Sequence, residues 1–226
     1  MLHYQIVTAQ PKPQNTALVL HGILDSGRAW RTIAWRVVAR SPQWRVVLLD
    51  LRGHGKSHDA PPPHTVDACV ADLAELTACL GSQPRVIIGH SFGGRVALRA
   101  ALLHPEAYDA AVVLDAPPGP REPADPTERA PLDRLIATLR AVPMPCSDRG
   151  LVAGRLVAAG WTPQVASWLT TNLQPGVGEL VWRFDLEVAA LLLGSCLKDG
   201  PVKTPRKSAS RARKDAVRRM SGMGRS

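Results

Sequence analysis

Four short aliphatic runs constrain this chain more than any other feature: TALVLHG at residues 16–22, RVVLLD at 45–50, RVIIGHS at 85–91 and AAVVLD at 110–115. Each is apolar on both of its alternating sides, as a strand must be when helices cover both faces of a parallel sheet. Between the runs the period turns helical. Trp30, Ile33, Ala34, Val37 and Val38 share one face, as do Val66, Val70, Leu73, Thr77 and Leu80, with Asp67, Asp72 and Glu75 mostly opposite. Thr65 follows the prolines at 61–63 and suits an N-cap. A third helix is predicted from Gly93 to about His104, and the alternating LHYQIV at 2–7 reads as an edge strand. Strands alternating with helices predict an α/β fold with a parallel central sheet.

After Asp115 the texture changes. Six prolines within residues 117–131 predict an extended crossing out of the sheet, followed by helical segments near 132–142, 149–159, 163–173 and 180–193, with no further strand pattern. The expected organisation is a core over 1–116, a helical cap over 117–195 and a basic, disordered tail over 196–226. That tail explains the charge: residues 198–226 hold ten Lys or Arg against two acids, +8 of the net +9. Its bases, clustered at 206–214 without aromatic partners, give at most salt-sensitive, sequence-blind contacts, so no specific nucleic-acid partner is expected. The four cysteines (Cys69, Cys79, Cys146, Cys196) form no CxxC pair and read as reduced, mostly buried thiols, with neither a metal nor an organic cofactor expected. No apolar stretch suited to a signal peptide follows Met1 and no apolar run approaches 18 residues, so the expectation is a cytoplasmic protein without a membrane span.

The chemistry centres on G-H-S-F-G, Gly89 to Gly93, at the end of one strand and the start of a helix. In that context G-x-S-x-G is a nucleophile elbow: Ser91 occupies a strained turn, and the glycines on either side let the chain pass closely. The Phe92 amide then faces an oxyanion formed beside Ser91. A second amide is expected from H-G-I-L-D, His21 to Asp25, with Gly22 making the turn and Ile23 donating. The alternative is that Gly22 and Gly89 merely make tight α/β turns.

With D-L-R-G-H-G-K-S at 50–57, this set resembles the alpha/beta-hydrolase superfamily, in which the three motifs occur in this order and at this spacing. W-L-T-T-N-L at 168–173 and L-V-W-R-F-D-L-E at 180–187 are similar to signatures of the alpha/beta-hydrolase domain 11-like esterases. The resemblance implies an alpha/beta-hydrolase fold with a helical cap. It also implies a carboxylic-ester or thioester hydrolase acting on a small-molecule acyl ester, with Ser91 as nucleophile and the Ile23 and Phe92 amides as oxyanion hole. For Asp50, Arg52 and His54 it implies a structural loop; Trp182 and Arg183 fit substrate contact and cap structure equally well. Asp115 occupies a position that some members use for the catalytic acid.

The triad of this fold runs Ser, then acid, then His. Of the seven histidines only His104 follows Ser91, and it falls roughly 15 to 20 Å away along the helix that Ser91 opens. The expected downstream acid and histidine loops, and the last strands, are missing. The chain reads as a C-terminally truncated hydrolase, from an altered transcript end or a shortened paralogue. Impaired catalysis, or a non-enzymatic binding remnant, is the expectation.

Overall fold

The structure, a computed structural model, describes residues 1–116 and 126–198. Its sheet has the order β1-β3-β2-β4-β5, built from Tyr4–Thr8 (β1), Asn15–Leu20 (β2), Trp44–Leu49 (β3), Val86–His90 (β4) and Ala110–Leu114 (β5). β1 runs antiparallel to β3 at one edge and the other pairings are parallel. The four aliphatic runs are therefore the parallel strands, and the alternating N-terminal run is the edge.

Period-2 alternation sends neighbouring side chains of β2 to opposite faces. Leu18 and Leu20 join Val47, Leu49 and Ile87 in the larger core. Val19 joins Val7, Val46 and Leu48 against Ala34 and Val38 of α1 (Arg31–Arg40). Ile33 and Val37 stay half exposed, so α1 buries a narrower stripe than its periodicity suggested. The larger face receives α2 (Val66–Leu80) and α3 (Phe92–Leu103). α2 begins as predicted, with Thr65 Oγ1 accepting from the Ala68 amide at 3.1 Å, and stops at Gly81 with φ 64.

Four further helices follow: α4 (Pro126–Ala141), α5 (Arg149–Ala158), α6 (Pro163–Thr170) and α7 (Leu186–Lys198). Two expectations are corrected here. The extended crossing does not reach 131, because α4 starts at Pro126 and holds Pro131 inside it. A proline at a helix start loses no intrahelical bond, and Glu, Ala and Leu around Pro131 favour the helix enough to carry one missing N–H. Nor is 180–193 one helix. Leu173–Pro175 (β6) and Leu180–Trp182 (β7) pair antiparallel around a turn holding Gly178 at φ 77, and α7 begins only at Leu186. Val181 and Trp182 are poor helix formers that pair well across strands. Of the tail expected over 196–226, residues 196–198 continue α7, and 199–226 lie outside the described residues, as do 117–125. The cysteines form no disulfide: Cys69 and Cys196 are buried, Cys146 is half-buried and Cys79 is exposed.

Among the described residues no strand pairs with the outer side of β5. Val112 is 40% and Leu114 37% exposed there, on an edge with open hydrogen-bonding groups. This chain is expected to self-associate through that edge. Sedimentation velocity should show a concentration-dependent shift that Val112→Lys suppresses, and a monomer over the whole range would contradict it.

Candidate active site

The turn from β4 into α3 is built by glycines that have no substitute. A Cβ on Gly89 would lie 2.1 Å from the Gly93 carbonyl oxygen, and one on Gly93 would lie 2.5 Å from that of His21. Backbone sits on both sides, so neither clash can relax by a rotamer change. Gly89→Ala and Gly93→Ala are each expected to cost about 3 kcal/mol or more of stability. Urea unfolding measures this; a loss below 1 kcal/mol would mean the turn is looser than described.

This close passage forces Ser91 into φ 52, ψ −117, a left-handed conformation that a non-glycine residue adopts only under strain. The Ser91 amide donates to the Leu114 carbonyl at 2.9 Å, and its own carbonyl accepts from Gly94 and Arg95 at 2.9 and 3.2 Å. Fixed from both sides, Ser91 faces a cavity of about 460 Å³. Ile23, Phe92 and Asp115 line it from the sheet end, with Leu132 and Ile136 from α4 and Leu193 from α7. The Phe92 amide is the first of α3, so no carbonyl of the helix can accept from it. The Ile23 amide also makes no hydrogen bond among the described residues. Gly22 lets the loop approach: a Cβ there would sit 3.4 Å from Ser91 Cβ and 3.0 Å from His90 Nδ1. Leu24 beyond it is strained at φ 61.

Two histidines near this turn are committed elsewhere. His21 Nδ1 donates to the Gly22 carbonyl at 2.7 Å while Nε2 accepts from the Leu51 amide at 2.9 Å. His54 Nδ1 donates to the Arg52 carbonyl at 2.9 Å while Nε2 accepts from the Leu24 amide at 3.1 Å. Both rings are fully buried. Burial lowers the pKa of each, that of His54 to about 3, so both stay neutral and hold loops rather than protons in transit. His90 is 6.2 Å from the Trp30 ring, which packs on the α1 side of the sheet, away from the cavity, and its Nε2 is 3.9 Å from Asp115 Oδ2. His104 caps the far end of α3. Asp115, at φ 51 and with its side chain 91% exposed, reaches the cavity rim.

The 50–57 loop is structural, as expected. Asp50 accepts from the Gly27 and Lys56 amides, and Arg52 grips Asp72 through two hydrogen bonds of 2.7 and 2.8 Å. Its backbone is tied to the segment after β7: Gly55 N donates to Arg183 O and Asp185 N to Gly53 O, both at 2.7 Å. Trp182 and Arg183 thus belong to this seam and do not line the cavity of Ser91. Leu151, Val157, Trp161 and Trp168 of α5 and α6 and the turn between them lie outside the cavity as well. Sequence reasoning missed the charged lining residues Arg95 and Arg140. Arg95 had a legible signal, its four-residue spacing from Ser91.

A family model described as the alpha/beta hydrolase fold matches residues 16–138, over half of the chain. The chain belongs to the alpha/beta-hydrolase family. This alpha/beta hydrolase is 31% identical to the sn-1-specific diacylglycerol lipase ABHD11 of Mus musculus, across 76% of the chain and 55% of that relative. The narrower likeness to the domain 11 group therefore holds. It is also 39% identical to Lipase LipV of Mycobacterium tuberculosis, over 46% of the chain and 38% of the relative. A solved structure titled "Marine microorganism esterase" superimposes with a TM-score of 0.74 at 22% identity, covering 88% of this chain and 74% of that one. The alpha/beta hydrolase spans about half the length of the domain 11 relatives it matches. Among the described residues no helix is long and apolar enough to cross a membrane, and no group of three or more His, Cys, Asp or Glu could hold a metal ion.

Proposed function

We propose that this chain carries the nucleophile half of a serine hydrolase acting on small-molecule carboxylic esters or thioesters. The observation that supports the reading is a single cavity lined by Ser91 at its strained turn, Ile23 and Phe92, the last two with amides that make no hydrogen bond among the described residues. Ser91 Oγ attacks the acyl carbonyl carbon, the carbonyl π electrons move onto oxygen, and the two amides stabilise that oxyanion. Collapse of the intermediate breaks the bond to the leaving alkoxide or thiolate, and water then hydrolyses the acyl enzyme. The helices from α4 to α7 act as a cap over this cavity, and neither a metal nor a cofactor takes part. Asp115 is the candidate acid.

Both chemical steps need a proton carrier. Among the described residues no imidazole with an open nitrogen faces Ser91, so turnover by this chain is impaired. The same observation favours a second reading, in which the chain binds acyl ligands without turning them over, because the cavity is formed while the base is not. Prolonged incubation with a fluorophosphonate followed by peptide mapping tests the first. Labelling near the background rate is expected, with the slow adduct on Ser91 and none in Ser91→Ala. An adduct elsewhere, or equal labelling of Ser91→Ala, would overturn the assignment.

A further inference from the structure

Arg95 stands four residues after Ser91, one turn, about 6 Å, along the axis of the helix that Ser91 caps. It lines the Ser91 cavity, is half-buried, and makes no hydrogen bond or ion pair among the described residues. The cavity's other charges are occupied. Arg140 is held by both carboxylate oxygens of Glu187, at 2.8 and 2.6 Å. Asp133 is already engaged, and Asp115 is exposed to solvent beside His90. Arg99, one turn further along α3, is tied to Asp67 at 2.7 and 3.0 Å. A partly desolvated guanidinium left open at the floor of a cavity favours a planar anion that can accept two parallel hydrogen bonds.

We infer that Arg95 makes this cavity selective for an acyl ester whose acyl chain ends in a carboxylate, the half-ester of a short dicarboxylic acid. The inference rests on the Ser91 cavity being the acyl site. With the scissile carbonyl at Ser91 and the Ile23 and Phe92 amides, the Arg95 backbone stands one helical turn along α3 and its side chain lines the same cavity. A succinyl or glutaryl chain spans that distance. The exposed Asp115 carboxylate is screened by water and opposes this only weakly.

The test measures binding in the Ser91→Ala chain, which can form no acyl enzyme. Monomethyl glutarate and its neutral isostere methyl 4-carbamoylbutanoate are titrated by saturation-transfer NMR. The half-ester should bind at least about tenfold more tightly than the isostere, as a charge-assisted bidentate contact provides. Adding Arg95→Gln should bring the two within twofold, while Arg95→Lys, which keeps the charge without the fork, should retain part of the preference. Equal binding in the Arg95-containing chain overturns the inference. A preference that survives Arg95→Gln in a protein with an unchanged thermal transition also overturns it, as does the absence of saturable binding by either ester. Because Ser91 is replaced throughout, these outcomes are independent of whether Ser91 is a nucleophile, which the fluorophosphonate mapping decides.

Discussion

Purified chain is expected to hydrolyse p-nitrophenyl butyrate only barely above the buffer rate. With no open imidazole facing it among the described residues, Ser91 Oγ has no base to take its proton and the departing group receives none. In subtilisin, the handiest precedent for such a loss, removing the histidine costs on the order of 10⁶ in kcat, and the oxyanion hole with substrate binding still gives about 10³ to 10⁴ over water. If the proposed site holds, the same two contributions remain here, so Ser91→Ala should lower the residual rate little. Initial rates for both chains decide this. Turnover approaching that of an intact serine esterase, abolished in Ser91→Ala, would require a base that the described residues do not supply.

The second large effect concerns stability in acid. His21 and His54 are buried, each donating from Nδ1 and accepting at Nε2, and only the neutral ring can do both. In the unfolded chain an imidazole takes up its proton near pH 6.5, whereas folded His54 resists protonation down to about pH 3. Between these values the unfolded state binds more protons, so stability rises with pH there. The contribution is fully present above about pH 6.5 and is lost as pH falls towards 3. His54 should remove roughly a few kcal/mol across this window, and His21 acts in the same direction. Urea midpoints at pH 7.5, 6.0 and 5.0 should fall steeply over the last two, and a flat profile would contradict the neutral, doubly bonded rings.

How much of this was legible in the sequence depends on the range of the interactions involved. The four parallel strands were legible because burial on both faces writes a continuous apolar run, and Ser91, Gly89 and Gly93 because close backbone packing tolerates no other residue beside a strained serine. Thr65 was legible because a cap acts over three residues. The β6–β7 hairpin was not, since strands of three residues carry too short a pattern to outweigh the helical spacing around them. Pro131 misled because its local preference is overridden by its neighbours along α4. The engagement of His21 and His54 was illegible for a different reason: their partners, Leu51 and Leu24, each lie 30 residues away and bond through backbone amides that carry no side-chain signature. The identity of Arg95 was plain in the sequence, but its lack of a partner is a property of the folded cavity alone.

On the proposed reading, Ser91 and the amides of Ile23 and Phe92 are assembled to hold a tetrahedral oxyanion. A boronic acid tests this without needing a base to drive turnover, because its boron adds reversibly to a serine oxygen and becomes tetrahedral beside the oxyanion donors. Titration of the chain with butylboronic acid, followed by boron-11 NMR, should give a saturable signal in the tetrahedral range that disappears in Ser91→Ala. Only trigonal boron at every protein concentration, or a tetrahedral signal that persists in Ser91→Ala, would contradict the account.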